Sequence, residues 1–527
     1  MSRWYFYFIT LILLAIVYSL GVFSRSIWYD EAITLQSNAA VEYVQPGAGP
    51  LVAEQVQRQF DGVRTLPQLV DNYIENDVHP PLYFGVANAA TWIFGNSLTV
   101  MRFVSVALVL ASVGLFARLM TRFEPPRALA YALAYGLSFS VATSAHDARG
   151  YAMVLLLAVL AWLTAAQPAD GAPPRPVLWR VVVNGLACGG LLLTHYFAVF
   201  IVVPLLGVQV LRGLVTRRFL YWLSPLVAFL VFLPWLPVML HHMGARPDQM
   251  TGFPGLVGWM KEMLAFLPGQ VFSATSFEVP NVVQKYGRLA CFALIVMGGL
   301  GILAANIRGP RRWDHATIAL FVVGVGVGLF LVAAVTMDRS FNALRYWTFF
   351  TPFVAYLAAR GALMLGQGIA RAIPVFPAPA PVWLLVAGLA AMLNFGFETN
   401  RNRGGGFYRS IAAEAAQAGT DQTLIVVDPG VGRGATLAAA YEVAPEQMLY
   451  LLPRDPAEWA ADVPNLAPLL DTTSTVILAF TIDRGSMSSD KSALYGDLIA
   501  QLEQQGFQRA PIIAAAQDGR HYAKWTR

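Results

Sequence analysis

The sequence predicts a mainly α, polytopic membrane protein carrying a small α/β domain at its C-terminal end. Two observations carry this. Of the 527 residues, 57% are apolar and only 13% are charged, about half the roughly 25% usual in soluble domains, and the mean hydropathy is +0.54. Too few polar residues remain to cover a soluble surface of this size. The apolar residues also come in long runs up to about residue 398, after which the composition turns to that of a soluble domain. The same numbers exclude disordered, collagenous and disulfide-scaffold classes. A net charge of +5, from 36 basic and 31 acidic residues, is too small to indicate a nucleic-acid partner. Cys188 and Cys291 both sit in apolar runs and imply no disulfide framework.

Runs of about 17–22 apolar residues match the ~30 Å of hydrocarbon that a helix must cross. They fall near 5–23, 102–119, 128–145, 150–167, 178–193, 195–211, 219–240, 286–306, 316–336, 344–365 and 381–398, which makes eleven spans. The first does not read as a cleaved signal peptide, because Trp28-Tyr29-Asp30-Glu31 follows it instead of a small-residue cleavage site. A further apolar segment, 80–95, is short and contains Asn88. Charge parity decides its fate. Arginines cluster at 118–127, 212–218, 308–312 and 360–371, and short loops rich in Lys/Arg stay cytoplasmic. Eleven spans from an inside N-terminus put all four clusters inside, so 80–95 is expected to lie on the membrane surface. The expected organisation is a membrane domain over 1–398, with external loops near 24–101 and 241–285, and a soluble external domain over 399–527.

That topology gathers ionisable residues at the external ends of the spans: Asp30-Glu31, Asp77 with His79, His146 to Tyr151, His195-Tyr196, His241-His242, and Asp338-Arg339 with Arg345-Tyr346. Five of the seven histidines are in this set. Ionisable groups at the membrane edge are costly, which makes them candidates for function. A carboxylate straight after a span can accept a proton from a hydroxyl, and arginines grip phosphate through forked hydrogen bonds. Together they suit transfer of a group from a lipid-linked phosphate, whose leaving group needs cations rather than a general acid. A transporter or flippase of a lipid-linked or anionic solute is the alternative. It calls for ionisable residues near mid-bilayer and for repeat symmetry, and the sequence shows neither.

Ile27-Trp28-Tyr29-Asp30-Glu31-Ala32 resembles the acidic motif of the GT-C membrane glycosyltransferases, the group of protein O-mannosyltransferases and aminoarabinose transferases that use polyprenyl-phosphate sugars. His79-Pro80-Pro81-Leu82-Tyr83-Phe84 is similar to a second motif of that group, and Ala148-Arg149-Gly150-Tyr151 and Leu344-Arg345-Tyr346 to two more. The resemblance covers 1–398. It implies a GT-C fold and an inverting transfer from a polyprenyl-phosphate sugar to a glycan, lipid or protein acceptor. Asp30 would be the base and Glu31 a supporting acid, with Arg149 and Arg345 on the donor phosphate. His79 is a candidate ligand, with Asp77 or Asp30, for a divalent metal, or else satisfies a loop carbonyl. No nucleotide cofactor is expected. Of His146, His195 and His242, one is expected to touch substrate, while Tyr346 is a substrate contact or an interfacial anchor. The implied location is a bacterial inner membrane, with the N-terminus cytoplasmic and the C-terminal domain periplasmic or extracellular.

In the C-terminal part, 423–427 and 475–480 read as strands, 492–505 as a helix ended by Gly506, and 511–514 as a further strand. Gly430-Val431-Gly432-Arg433-Gly434 reads as a strand-to-helix turn. Its expected use is packing and turn geometry.

Overall fold

The computed structural model describes residues 4–166, 177–245, 252–273, 281–308, 313–340, 343–372, 407–428, 433–453, 458, 462–481, 489–509, 514–515 and 520–527. The bundle begins with α1 (Trp4–Ser24). The first long loop then folds as α2 (Tyr29–Asn38), strand β1 (Gly49–Val52), α3 (Ala53–Gln57), α4 (Leu66–Glu75) and α5 (Leu82–Phe94). The chain continues through α6 (Leu98–Phe123), α7 (Ala128–Gly136), α8 (Phe139–Ala145), α9 (Tyr151–Ala165), α10 (Leu178–Leu192) and α11 (Val199–Thr216). It then forms α12 (Leu223–Phe232), α13 (Leu236–Ala245), α14 (Gly255–Gly269), α15 (Asn281–Arg308), α16 (His315–Thr336) and α17 (Thr351–Ala372).

Six of these segments are long and apolar enough to cross a membrane, or seven if α7 and α8 count as one broken span. The expected 128–145 span is such a pair, bent by 59°. The expected spans at 5–23, 150–167 and 178–193 correspond to shorter apolar helices. The 381–398 span lies outside the described residues. The surface segment 80–95 forms the 13-residue α5, about 20 Å at 1.5 Å per residue and so shorter than the hydrocarbon core. Its Asn88 is buried and donates to Asn38 Oδ1 and to the Arg64 carbonyl, both at 2.9 Å. The helix is thereby tied to the rest of the first loop, while Ile93 and Phe94 at its end stay exposed.

The C-terminal part is an α/β unit, and its sheet recruits a strand from the first loop. The order is β1-β3-β2-β4-β7-β5, with β6 beside β7. Here β2 is Thr423–Val427, β3 Met448–Leu451, β4 Thr475–Thr481, β5 Gln508–Arg509, β6 Ala514–Ala515 and β7 Arg520–Thr526. Strands β3, β2 and β4 run parallel; β1 and β7 flank them antiparallel. The central β2 is buried throughout, as a strand covered on both faces must be. Alternation divides it: Ile425 and Val427 join a core that includes Ile27, Leu35 and Tyr83 of the first loop, while Leu424 and Val426 face the outer layer with Leu498 and Leu502. The first loop and the C-terminal part thus share one hydrophobic core, although more than 300 residues of sequence separate them.

The expected strands 423–427 and 475–480 form as read. The helix runs Ser489–Gln504, and Gly506 follows at φ 86°, the left-handed geometry that favours glycine after a helix. Of the expected strand 511–514, only Ala514 is in a described strand; residues 511–513 lie outside the described residues, as do Gly430 to Gly432.

Candidate functional site

Tyr29–Asn38 becomes a helix straight after the first span, so Asp30 and Glu31 fall in its first turn, where carboxylates complement the helix dipole. They face different surroundings. Glu31 is buried and fully engaged. Its Oε1 accepts from Arg102 Nε at 2.9 Å and from the Ala148 N–H at 2.9 Å, and its Oε2 accepts from Arg102 Nη2 at 2.6 Å and from the Trp28 N–H at 3.1 Å. Burial pushes the carboxyl up, and the Arg102 guanidinium more than offsets it, so the group sits below its ordinary value. Asp30 is half-buried, and no described hydrogen bond or ion pair engages its carboxylate. It acts electrostatically on both Arg149 and Arg345.

Arg149 is buried between α8 and α9 and reaches across to α2 and the first loop. Its Nη1 donates to Thr34 Oγ1 at 3.0 Å and approaches the Asp30 carbonyl at 3.5 Å. Its Nη2 lies 2.8 Å from His79 Nε2, and its guanidinium rests 5.5 Å over the Phe84 ring. Arginine only donates, so His79 Nε2 is the acceptor. The other nitrogen, Nδ1, therefore carries the proton and donates to Asp77 Oδ1 at 2.5 Å. The same oxygen also accepts the N–H groups of Val78 (2.7 Å) and His79 (3.0 Å). Burial pushes the Asp77 carboxyl up, but the His79 contacts outweigh it and hold the group well below the usual carboxylate range.

Arg345 enters from the opposite side, in the 3-10 turn Leu344–Phe350 that opens α17. Both terminal nitrogens lie 3.5 Å from the Tyr29 hydroxyl. Its head group sits over the rings of Trp28 (5.2 Å) and Tyr346 (5.3 Å). Beside it opens a small hollow lined by Ser140, Thr143, Ser144, Asp147, Tyr151 and Thr348, in which the Ser140 hydroxyl donates to Gln270 Oε1 at 2.6 Å. Among the described ion pairs, neither Arg149 nor Arg345 has a carboxylate partner.

The structure therefore brings together Asp30, Asp77, His79, Arg149, Arg345 and Tyr346. His195 lies at the rim, its ring 5.9 Å from Tyr151 and its Nδ1 accepting from the Phe197 N–H at 3.2 Å. Two histidines stand apart. His146 packs edge-on against Tyr18, 6.1 Å away, over a position where only Gly21 fits. His242 is consumed by structure: Nδ1 accepts from the Tyr196 hydroxyl at 3.1 Å, and Nε2 donates to the Ile74 carbonyl at 3.2 Å.

Several participants were not singled out from sequence. Arg102 grips Glu31, and Arg25 pairs with Asp147 in a second buried ion pair. The signal for Arg102 was a lone arginine in the first turns of an otherwise apolar span. Thr34, one turn after Asp30, gives no signal beyond its spacing.

The residues proposed for a metal do not form a ligand set. Asp77 Oδ1 is committed to His79 and two backbone N–H groups, His79 Nε2 faces a guanidinium, and no group of three His, Cys, Asp or Glu is arranged to hold a metal among the described residues.

Residues 78–237 match the family model described as dolichyl-phosphate-mannose-protein mannosyltransferase. The matched stretch contains the His79–Phe84 and Ala148–Tyr151 motifs; Asp30 and Arg345 lie outside it. The match agrees with the resemblance to GT-C glycosyltransferases read from the motifs. No curated protein matches the chain. Among solved structures it is similar to ArnT from Cupriavidus metallidurans in the apo state, at 13% identity, covering 99% of this chain and 98% of that one with a TM-score of 0.49. The same protein bound to undecaprenyl phosphate aligns at 15% identity over 98% and 97%, TM-score 0.45. The oligosaccharyltransferase AglB of Archaeoglobus fulgidus, in complex with an inhibitory peptide and a dolichol-phosphate, aligns at 13% over 99% and 74%, TM-score 0.44.

Proposed function

We propose that the protein is a membrane glycosyltransferase. It moves a sugar from a polyprenyl-phosphate donor to an acceptor hydroxyl at the outer face of the membrane, with inversion and with Asp30 as the base. The observation that carries this is the contrast at the site. The Asp30 carboxylate is unengaged among the described residues, and its charge acts on two arginines, Arg149 and Arg345, that have no carboxylate partner among the described ion pairs.

In this reading the acceptor oxygen attacks the anomeric carbon while its proton passes to Asp30. The bond from that carbon to the phosphate oxygen breaks, and polyprenyl phosphate leaves with the electron pair. Arg149 and Arg345 hold the phosphate oxygens, and their charge stabilises the leaving group, so no general acid is required. His79, held by Asp77 in its Nδ1–H form, fixes the Arg149 guanidinium. Glu31 is a positioning residue: clamped on Arg102, it sets the first turn of α2 and hence the aim of Asp30. Tyr346 and Trp28 bracket Arg345.

The orientation follows from the arginine-rich loops: N-terminus in the cytoplasm, eleven spans, the site and the C-terminal domain outside, in a bacterial inner membrane. Outside the cell no nucleotide sugar is at hand, which suits a donor delivered through the bilayer. The test is mass spectrometry of envelope glycolipids and glycoproteins with and without the gene. The expected result is loss of one sugar from one class of molecule. An unchanged glycan profile in a strain grown where the gene is expressed would contradict the reading.

A further inference from the structure

We infer that the helix Gly434–Glu442 of the C-terminal domain is a positioning splint for the Asp30 carboxylate, so that this domain contributes to the chemical step. The inference rests on Asp30 being the base.

The segment joining the first span to α2 has its polar groups tied from above by two residues of that domain. Glu442, at the last turn of the splint, accepts the Ile27 N–H at 2.7 Å and faces Arg409 Nε at 3.5 Å. The Arg409 guanidinium donates to the carbonyls of Phe23 (3.0 Å) and Arg25 (3.2 Å), and its backbone N–H donates to Ser26 Oγ at 3.3 Å. Arg102 grips the same segment from below, at the carbonyls of Val22, Arg25 and Ser26. The joint carrying Asp30 is thus caught between the membrane bundle and the external domain.

The other end of the splint touches α2 itself. A Cβ on Gly434 would lie 2.8 Å from the Tyr29 carbonyl oxygen, 2.9 Å from the Tyr29 Cβ and 3.1 Å from Ile33 Cδ1. Backbone meets backbone there, with no room for a side chain. The preceding Arg433 donates to Ser37 Oγ at 3.3 Å. Ser37 lies on the same helical face as Asp30 and Thr34, seven and three residues further on. Contacts at Ile27, Tyr29, Ile33 and Ser37 fix both the position and the rotation of α2.

This arrangement separates two functions. The backbones of Arg149 and Arg345 are set by the membrane bundle, through the α8–α9 junction and the turn before α17, and only their head groups touch α2, at Thr34 and the Tyr29 hydroxyl. Asp30 is carried by α2 itself. A disturbed splint therefore displaces the base more than it displaces guanidiniums held on bundle-anchored backbones. Misplacement by ~1 Å costs on the order of 100-fold in rate, without a matching loss of donor affinity.

The test uses the full-length protein in nanodiscs, with polyprenyl phosphate as the binding probe and the radiolabelled donor for turnover. Gly434→Val and Glu442→Ala should lower kcat by roughly 10- to 100-fold with the Kd for polyprenyl phosphate changed less than about twofold. Gly434→Ala should be intermediate. Glu442→Gln, which keeps an acceptor for the Ile27 N–H, should recover most of the rate lost in Glu442→Ala. Gly496→Ala, in the same domain with open space around it, should behave as wild type. If Gly434→Val does not fold, the Glu442 pair decides. With Asp30→Asn assayed in parallel, the outcomes separate. Wild-type kcat in Gly434→Val and Glu442→Ala beside an inactive Asp30→Asn would overturn the splint alone. Equal loss of donor affinity and rate would overturn it too, by making the helix general scaffold. An active Asp30→Asn would remove the base assignment on which the splint depends.

Discussion

Asp30 and Glu31 are neighbours with opposite tasks because helical geometry turns adjacent side chains about 100° apart. One is half-buried with its carboxylate unengaged among the described residues, and the other is clamped on Arg102. Breaking a buried, hydrogen-bonded ion pair from one side strands the remaining charge, which costs about 3–5 kcal/mol. Glu31→Gln is therefore expected to lower stability by that order, and the double change Glu31→Gln with Arg102→Gln to cost less than the two single changes summed. Thermal unfolding of the purified variants checks this; additive losses would mean the pair is not coupled. At Asp77 the direction of the shift sets a pH window. Its folded-state value is depressed, so its stabilisation is full above the unfolded value of about 3.9 and fades as pH falls through the folded one. The stability gap between wild type and Asp77→Asn should be widest above about pH 5 and narrow progressively below about pH 4. A gap unchanged between pH 7 and pH 3 would contradict the His79 contact as its source. Most of these residues were legible, because Asp30, His79, Arg149 and Arg345 stand in recognisable local patterns. Their partners were not. Arg102 meets Glu31 across 71 residues and Arg25 meets Asp147 across 122, and no local spacing encodes such pairs.

Among the elements, α15 and α17 approach backbone to backbone. A Cβ on Gly298 would collide with the Leu357 carbonyl and one on Gly361 with the Leu294 carbonyl, the small-residue contact by which membrane helices pack tightly. Gly361→Ala should destabilise by about 1–3 kcal/mol through overpacking and shift the melting temperature down without altering the site chemistry. Unchanged melting would mean the helices separate freely. Apolar run length identified the helices well, since hydrocarbon thickness sets it. It could not reveal the break between α7 and α8, where Gly136 to Ser138 interrupt a run that stays apolar on both sides. Nor could it reveal β1: four residues, Gly49-Pro50-Leu51-Val52, carry no periodicity of their own, and they are a strand only because β3 offers an edge. The two-domain division at residue 398 followed composition, whereas the shared core of the first loop and the C-terminal sheet follows from long-range packing that composition does not record.

For the whole molecule, the proposed orientation predicts which surfaces a membrane-impermeant thiol reagent reaches. In a variant lacking the native cysteines, single cysteines at the exposed positions Glu75 and Gln417 should react in intact spheroplasts, whereas one at Arg217 should require permeabilised cells. Protection of Glu75 and Gln417 together with labelling of Arg217 would invert the topology and place the site inside. The chemistry has its own direct test. Wild-type protein and Asp30→Asn are reconstituted in nanodiscs with radiolabelled polyprenyl-phosphate sugar, using envelope extract from a strain lacking the gene as the acceptor source. Transfer and donor binding are then measured separately. Asp30→Asn keeps the shape of the side chain and removes the base, so the account predicts a 10²- to 10⁴-fold fall in transfer, roughly the worth of a positioned base, with donor binding nearly unchanged. Transfer by Asp30→Asn within a few fold of wild type would contradict it.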